Sequence, residues 1–565
     1  MPEQLKITKS LDPVIADIKE WPIYKLSQNK DSFLKEVIDL TIDSALSKFP
    51  SNNELHSEIK NILYQEKIRL TKTPWKSDSP SERIFWSEIK RKILECDKIE
   101  DEEQKHTSDL EILREILTFY GNEMVANFDP KKYKIAQKVL PFVFGRLMNA
   151  SPGEKLKFLF ASDKSIYDKF KITGPIDHIR NLAKKGTVIV VPTHFSNIDS
   201  PTIGFVIDII GLPAMTYGAG INLFTIGILS RWLNDLGAYK LDRRRKNYIY
   251  LEFLRNYSKI AISRGAHSLF FPGGTRSRSG QIEKKLKLGL LGTALEAQRN
   301  NLQNFNEEVA KKVFIVPVVL NYHYIIEADS LISQHLSYEG KEQFIDEAEK
   351  ISSSYKLLKT ILKVLTANPG MTVSFAPPMD VIGNDVDFEG NSINNIGQKV
   401  EIKDYFSFNG KMTEDKQRDM VYTELLGKKI VDKFLTYNTV LSSHIVAFVA
   451  FELIKKQFNN LSIYQLLRIP TDEIEIDEFE FELEVSNIRQ KLLDLYAEGK
   501  ILMSERLKDA DIDQVIKHGL KNLGVYHAQM PLIKNSSNNI ITQDLKLLYF
   551  YHNRLLGYGL EKHFE

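Results

Sequence analysis

Thr187-Val188-Ile189-Val190-Val191 is an unbroken, mostly β-branched apolar run set between Gly186 and Pro192. Without polar alternation, such a run suits a strand covered on both faces, the condition of a sheet lying between helices. Shorter runs of the same kind recur at 268–271, 313–316 and 372–375, with helical spacing between them. Strands alternating with helices imply an α/β domain, expected over residues 136–384. Before it, segments such as Phe33-Leu34-Lys35-Glu36-Val37-Ile38 repeat their apolar residues at spacings of three and four. That pattern predicts an N-terminal helical domain over residues 1–135. Residues 385–410, rich in Asn, Asp and Gly, are expected to be a linker or long loop, and 411–565 a mainly helical C-terminal domain. No internal repeat is evident.

Composition narrows the classes. With 565 residues, 43% hydrophobic and 27% charged, the chain has ordinary globular usage, which excludes wholesale disorder and small disulfide scaffolds. Lys and Arg number 76 against 74 Asp and Glu, a balance that does not suit coating nucleic acid, so no nucleic-acid partner is expected. Cys96, the single cysteine, excludes an internal disulfide and a Cys-rich metal site. Its acidic neighbours Glu95 and Asp97 disfavour a thiolate nucleophile. No convincing metal-ligand cluster is visible, and the acidic stretch Asp472–Glu484 has the composition of a solvated face. The N-terminus lacks the basic-then-apolar layout of a secretory signal. The uncharged segment 209–230 is broken by Gly211, Pro213, Gly218, Gly220 and Gly227. It is expected to be a buried or membrane-facing part of a globular domain rather than a plain membrane-spanning helix.

Chemistry concentrates where the first strand ends. In Pro192-Thr193-His194-Phe195-Ser196-Asn197-Ile198-Asp199-Ser200-Pro201, a histidine follows the strand and an aspartate comes five residues later. Ser200 or Asp199 could cap a helix beginning at Pro201. The carboxyl ends of parallel strands are where α/β proteins bind ligands. A carboxylate on one imidazole nitrogen fixes the tautomer and makes the other nitrogen a better base. The spacing also permits a plain turn histidine beside an acid. A second stretch, Pro272-Gly273-Gly274-Thr275-Arg276-Ser277-Arg278-Ser279-Gly280, joins glycines, hydroxyls and two arginines. It has the makings of a phosphate-binding loop, with a basic surface turn as the alternative. A further basic cluster occupies Arg243-Arg244-Arg245-Lys246.

Together these stretches resemble the glycerolipid acyltransferases. His194 to Asp199 is similar to their H-x4-D box, Gly237 to Arg243 to the second box, Phe271 to Gly280 to the third and Ile315 to Val318 to the fourth, in the family's order. Ala219 to Leu223, Arg276-Ser277-Arg278 and Lys287-Leu288-Gly289 resemble the glycerol-3-phosphate acyltransferases of bacterial membranes and mitochondria. Fainter likenesses lie at 441–447 and 547–553. The chain departs from the pattern twice, with Gly273 in place of the family's usual glutamate and Asp242-Arg243 in place of paired arginines.

The resemblance implies transfer of a fatty acyl group from acyl-CoA or acyl carrier protein to the sn-1 hydroxyl of glycerol 3-phosphate, with no cofactor and no metal. His194 is then the general base and Asp199 its orienting acid. Arg243, Gly274, Thr275, Arg276, Ser277, Arg278 and Lys287 serve the phosphate and polyol, and Pro317 and Val318 the acyl-donor side. The implied setting is a membrane surface, peripheral or monotopic, on the cytoplasmic face of a bacterial inner membrane. The segments 209–230 and 440–453 are candidate contacts, and both are equally candidates for core helices. Dihydroxyacetone phosphate and 1-acyl-glycerol 3-phosphate are alternative acceptors. A catalytically silent membrane lipid or acyl-carrier binder is the alternative of another class.

Overall fold

The structure is a computed structural model describing residues 4–5, 10–75, 78–148, 170–221, 232–304, 311–338, 371–525 and 527–565. The stretch 222–230 of the uncharged segment, with Asn222 and Leu223 of the resemblance, lies outside the described residues.

Eight strands build the central sheet: β1 (Gln4–Leu5), β2 (Phe170–Thr173), β3 (Gly186–Pro192), β4 (Thr216–Gly220), β5 (Ala238–Leu241), β6 (Ser268–Leu269), β7 (Lys312–Asn321) and β8 (Met371–Phe375). Their order is β1-β2-β8-β7-β3-β6-β4-β5. The five strands from β7 to β5 run parallel, and β8 turns against β7. The chain is thus an α/β protein with a largely parallel sheet at its centre. Val188 to Val191 are fully shielded from solvent, as a strand covered on both faces requires. Expected and observed strands agree closely, except that β6 stops at Leu269 and Phe270 and Phe271 already carry the chain into the loop beyond.

Among the described residues, six helices precede the sheet region: Pro22–Gln28, Lys30–Lys48, Asn52–Lys72, Pro80–Cys96, Glu102–Met124 and Pro130–Met148. Their starts follow from local chemistry. Ser51 and Glu54 form a reciprocal capping box, and Ser79 caps a helix whose first residue is Pro80. Inside the bundle, His56 is held by Asp109 at 2.7 Å and Asp97 at 2.9 Å, while the Cys96 thiol faces Asp109. Burial pushes that thiol's pKa up. The bundle shares its core with the sheet domain through Tyr250, Phe253 and Tyr257 of the helix Tyr248–Ser263.

Of the two alternatives held for each uncharged or apolar segment, the structure shows the buried one. Residues 440–453 are core: every residue from Ser442 to Ile454 of the helix Ser442–Gln457 is buried, against the helices Glu478–Ala497, Ile512–Asn522 and Leu545–His552. The interruptions that weakened the apolar pattern are satisfied inside, Glu452 accepting from His552 Nε2 at 2.8 Å. The described part of the uncharged segment is likewise interior, Ile209 to Met215 all being buried. Among the described residues, no helix is long and apolar enough to cross a membrane.

Nor are residues 385–410 a free linker. Asp380, Asp387 and Asn394 each accept, through the side chain, the backbone N–H four residues on, at 2.9, 2.8 and 3.0 Å. Gly383, Gly390 and Gly397 sit seven apart with φ of 93°, 85° and 80°, the left-handed region that glycine enters without cost. These three Asx turns form a seven-residue repeat that polar composition alone conceals. They dock on the sheet domain: His178 Nε2 and Asn181 Nδ2 donate to the carbonyls of Asp387 and Phe388.

Candidate active site

At the carboxyl end of β3, the chain makes a turn that its own side chains hold closed. The helix that follows spans Asp199–Ile209, starting two residues before Pro201. Asp199 therefore stands in the helix's first turn, and the cap expected from Ser200 is absent. From there Asp199 Oδ2 accepts from His194 Nδ1 at 2.8 Å and from the backbone N–H groups of Phe195 and Ser196 at 2.6 and 2.8 Å. Its other oxygen accepts from the Tyr322 hydroxyl at 2.7 Å. Asp199 is fully buried, whereas the His194 side chain keeps 14% of its surface exposed. The imidazole lies stacked on Phe271, ring centres 4.0 Å apart. With Nδ1 bonded to the carboxylate, the proton sits there, and Nε2 is left basic with no protein partner among the described residues.

The glycine and arginine loop folds directly onto this turn. Ser277 N–H donates to the His194 carbonyl at 2.8 Å. The Arg276 guanidinium lies 3.7 Å from Glu327, and Glu327 also accepts from Ser196 Oγ and the Asn197 N–H at 2.8 and 3.1 Å. Gly274 adopts φ 76°, and a Cβ there would meet the Lys287 stem at 2.8 Å. Lys287 is fixed to the loop through its own N–H, bonded to the Pro272 carbonyl at 2.7 Å. His194, Asp199, Gly274, Thr275, Arg276, Ser277, Arg278 and Lys287 thus gather beyond the carboxyl ends of β3 and β6. Within the loop, the Ser277 hydroxyl is spent on the Gln281 carbonyl at 2.7 Å.

Other expected residues stand elsewhere. Arg243 lies past the end of β5, an edge strand three positions along the sheet from β3, about 14 Å at the usual strand spacing. Its neighbours Arg244 and Arg245 are buried in a carboxylate lattice. Arg244 pairs with Asp78 and Asp242 at 2.5 and 2.7 Å, and Arg245 pairs with Glu82 at 2.7 Å and with Glu123. Burial opposes the Arg244 charge, yet Asp78 and Asp242 hold its pKa above the usual value. Neither guanidinium is exposed to take a ligand phosphate. Pro317 and Val318 are buried inside β7 as partners of Val191 and Pro192, and present no face to a donor.

Four residues of the site escaped the sequence reading. Tyr322 and Glu327 follow β7 and have been placed above. Arg554, just past the faint likeness at 547–553, is buried under Phe195, its guanidinium carbon 3.8 Å from the ring centre. It donates to the Leu320 carbonyl and to Asn321. Burial draws its pKa down to about 10 although Glu283 and Asp199 lie near. Glu283 accepts from the His194 N–H at 2.9 Å and keeps its second oxygen shut from solvent without a partner. That burial pushes its carboxyl up to about 7, against the His194 hydrogen bond. A Cβ on Gly273 would lie 3.0 to 3.2 Å from the Glu283 side chain. Glu283 therefore fills the space beside Gly273 into which a side chain at that position would project. The available signal was a lone acid in the basic run Gln281–Lys287, ten residues from the missing glutamate.

Comparisons with known proteins converge on the same part of the chain. Residues 175–321 match the acyltransferase family model, the span that holds β3, the His194 turn and the arginine loop. The chain is 26% identical over 287 residues to the glycerol-3-phosphate acyltransferase of Actinobacillus pleuropneumoniae serotype 5b, covering 50% of this chain and 30% of that one. It is 24% identical over 271 residues to the enzyme of that name from Aeromonas hydrophila, covering 47% and 30%. Against the Pseudoalteromonas atlantica enzyme it is 30% identical over 171 residues, covering 30% and 20%. The matches thus span less than a third of the length of these curated relatives.

Proposed function

We propose that the protein is a glycerol-3-phosphate O-acyltransferase, moving a fatty acyl group from acyl-CoA or acyl carrier protein to the sn-1 hydroxyl to give lysophosphatidic acid. The observation that carries the reading is the His194–Asp199 pair, its Nε2 open to ligand and its backbone tied to the Arg276 loop. Relatives bearing that activity in their names support it.

In this reading His194 Nε2 takes the proton from the sn-1 hydroxyl as its oxygen attacks the thioester carbonyl. The tetrahedral adduct collapses, the carbon–sulfur bond breaks, and the imidazolium returns the proton to the leaving thiolate. Asp199 stabilises the imidazolium and holds the ring. General-base assistance of this kind contributes about 10² to 10⁴ in rate, and alignment of alcohol and thioester adds to it. Arg276 and Lys287 hold the acceptor phosphate. Glu283 acts as a positioning residue: it grips the His194 N–H, taking the place of the acid missing at 273. A long-chain product partitions into a bilayer, so the reaction belongs at a membrane surface, and no cofactor or metal enters this scheme.

The test offers purified protein labelled acyl-CoA or acyl carrier protein with glycerol 3-phosphate, dihydroxyacetone phosphate or 1-acyl-glycerol 3-phosphate, and identifies the lipid formed. The 1-acyl product from glycerol 3-phosphate is expected. Product from another acceptor alone would move the assignment to that acceptor. No product with any pairing would favour a lipid- or acyl-carrier-binding role.

A further inference from the structure

A cavity of ≈ 460 Å³ opens at the opposite end of the sheet from His194. Its wall includes Gly186, which begins β3, Gly265 and His267, which lead into β6, and Lys311, which leads into β7. The length of β3, about 20 Å at 3.3 Å per residue, separates it from the catalytic turn. The volume lies in the range, roughly 300 to 1,000 Å³, of small-molecule sites.

Its charge is one-sided. Lys25, Lys184, Lys185, Arg264 and Lys311 line it, with Glu20 as the one acid of the lining. Three of these cations are already matched: Lys25 by Glu20, Lys185 by Glu389 and Arg264 by Glu36. Lys184 and Lys311 have no carboxylate partner among the described residues. Desolvation and the nearby Lys25 ammonium both depress the Lys311 pKa. His267 in the same wall is 1% exposed and accepts the Val188 N–H at Nδ1. Like charges around one space repel, and a bound anion relieves that repulsion.

We propose that this cavity at the foot of the sheet is a second anion site, taking a phosphate monoester or diphosphate group that carries at least two negative charges. The Lys184 and Lys311 ammonium groups, without a carboxylate partner among the described residues, set the charge, and the Arg264 fork with the lysines suits phosphate oxygens. The group can come from a soluble phosphorylated metabolite or from a lipid headgroup. The inference does not rest on the proposed acyl transfer.

The experiment titrates inorganic pyrophosphate into the full chain by calorimetry at fixed ionic strength, alongside a Lys184→Gln/Lys311→Gln double variant and an Arg276→Ala variant. Both lysines are exposed, so the double variant keeps its melting temperature. A saturable event weakened at least tenfold in the double variant and retained in Arg276→Ala is expected. A second arm sediments the protein with phosphatidylcholine vesicles with and without phosphatidic acid. Phosphatidic-acid-dependent binding lost in the double variant assigns the group to a lipid, and pyrophosphate binding alone assigns it to a soluble ligand. If pyrophosphate and vesicles treat wild type and the double variant alike, or neither binds, the site is overturned. Binding abolished only by Arg276→Ala would locate the anion at the catalytic loop and overturn it too.

Discussion

Arg243–Lys246 and Arg276–Lys287 are basic stretches beyond strands of the same sheet, and the fold treats them differently. In the first, Arg244 and Arg245 vanish into a lattice of Asp78, Asp242, Glu66, Glu82 and Glu123, with Arg244 also lying 4.2 Å over the Trp75 ring. In the second, Arg276 lies 3.7 Å from Glu327 with 10% of its side chain exposed, and Lys287 is exposed beside the loop. Apart from Asp242, the acids that neutralise the first cluster arrive from the N-terminal region, Glu66 from 179 residues away in sequence. Whether an arginine is locked among acids or left beside an open turn is decided by what the rest of the chain brings to it.

Four substitutions can break or sharpen that contrast. The largest effect is expected for His194→Ala, which should cut acyl transfer by about 10² to 10⁴ while circular dichroism and melting temperature stay near wild type; near-normal turnover would remove the base from the scheme. Arg245→Ala leaves buried carboxylates unmatched and should cost roughly 3–5 kcal/mol of stability, read by denaturant unfolding. In the protein that remains folded, KM for glycerol 3-phosphate should be unchanged. Arg276→Ala reverses the pattern: stability is kept while KM for the acceptor rises on the order of tenfold to a hundredfold, as for a lost charge-assisted hydrogen bond. Equal effects of these two arginines on stability would erase the distinction between the clusters.

The smallest effect is a pH dependence at Glu283. Its folded carboxyl titrates near 7, above an unfolded carboxyl near 4.3, so the native state binds the extra proton between those values. Wild-type stability should therefore fall relative to Glu283→Gln as pH rises from about 4.3 to 7 and run parallel above it. Melting curves of both proteins across that window measure the difference, and parallel curves throughout would mean the carboxylate is solvated.

Much of the site was legible because its signals are local. Periodicity located the strands, and the five-residue spacing from His194 to Asp199 needed only one turn to close. What stayed hidden depended on distance. No pattern near Arg244 announces Asp78, and nothing near His194 announces Arg554. The Gly273 departure was visible as a loss, but its replacement was not, because only the folded loop brings Glu283 against position 273. The three Asx turns were missed for another reason: Asp, Asn and Gln alternate at equivalent positions, so the repeat lies in backbone geometry more than in residue identity.

Arg554 reaches the Leu320 carbonyl across 234 residues of sequence, and Asn553 reaches the Ser279 carbonyl across 274. During synthesis, the sheet and the His194 turn can therefore assemble while the floor beneath the turn is still unmade. Contacts of such long separation form late and slowly. The order of translation thus delivers the His194 turn and the Arg276 loop before Asn553 and Arg554, the residues that brace them from the far end of the chain.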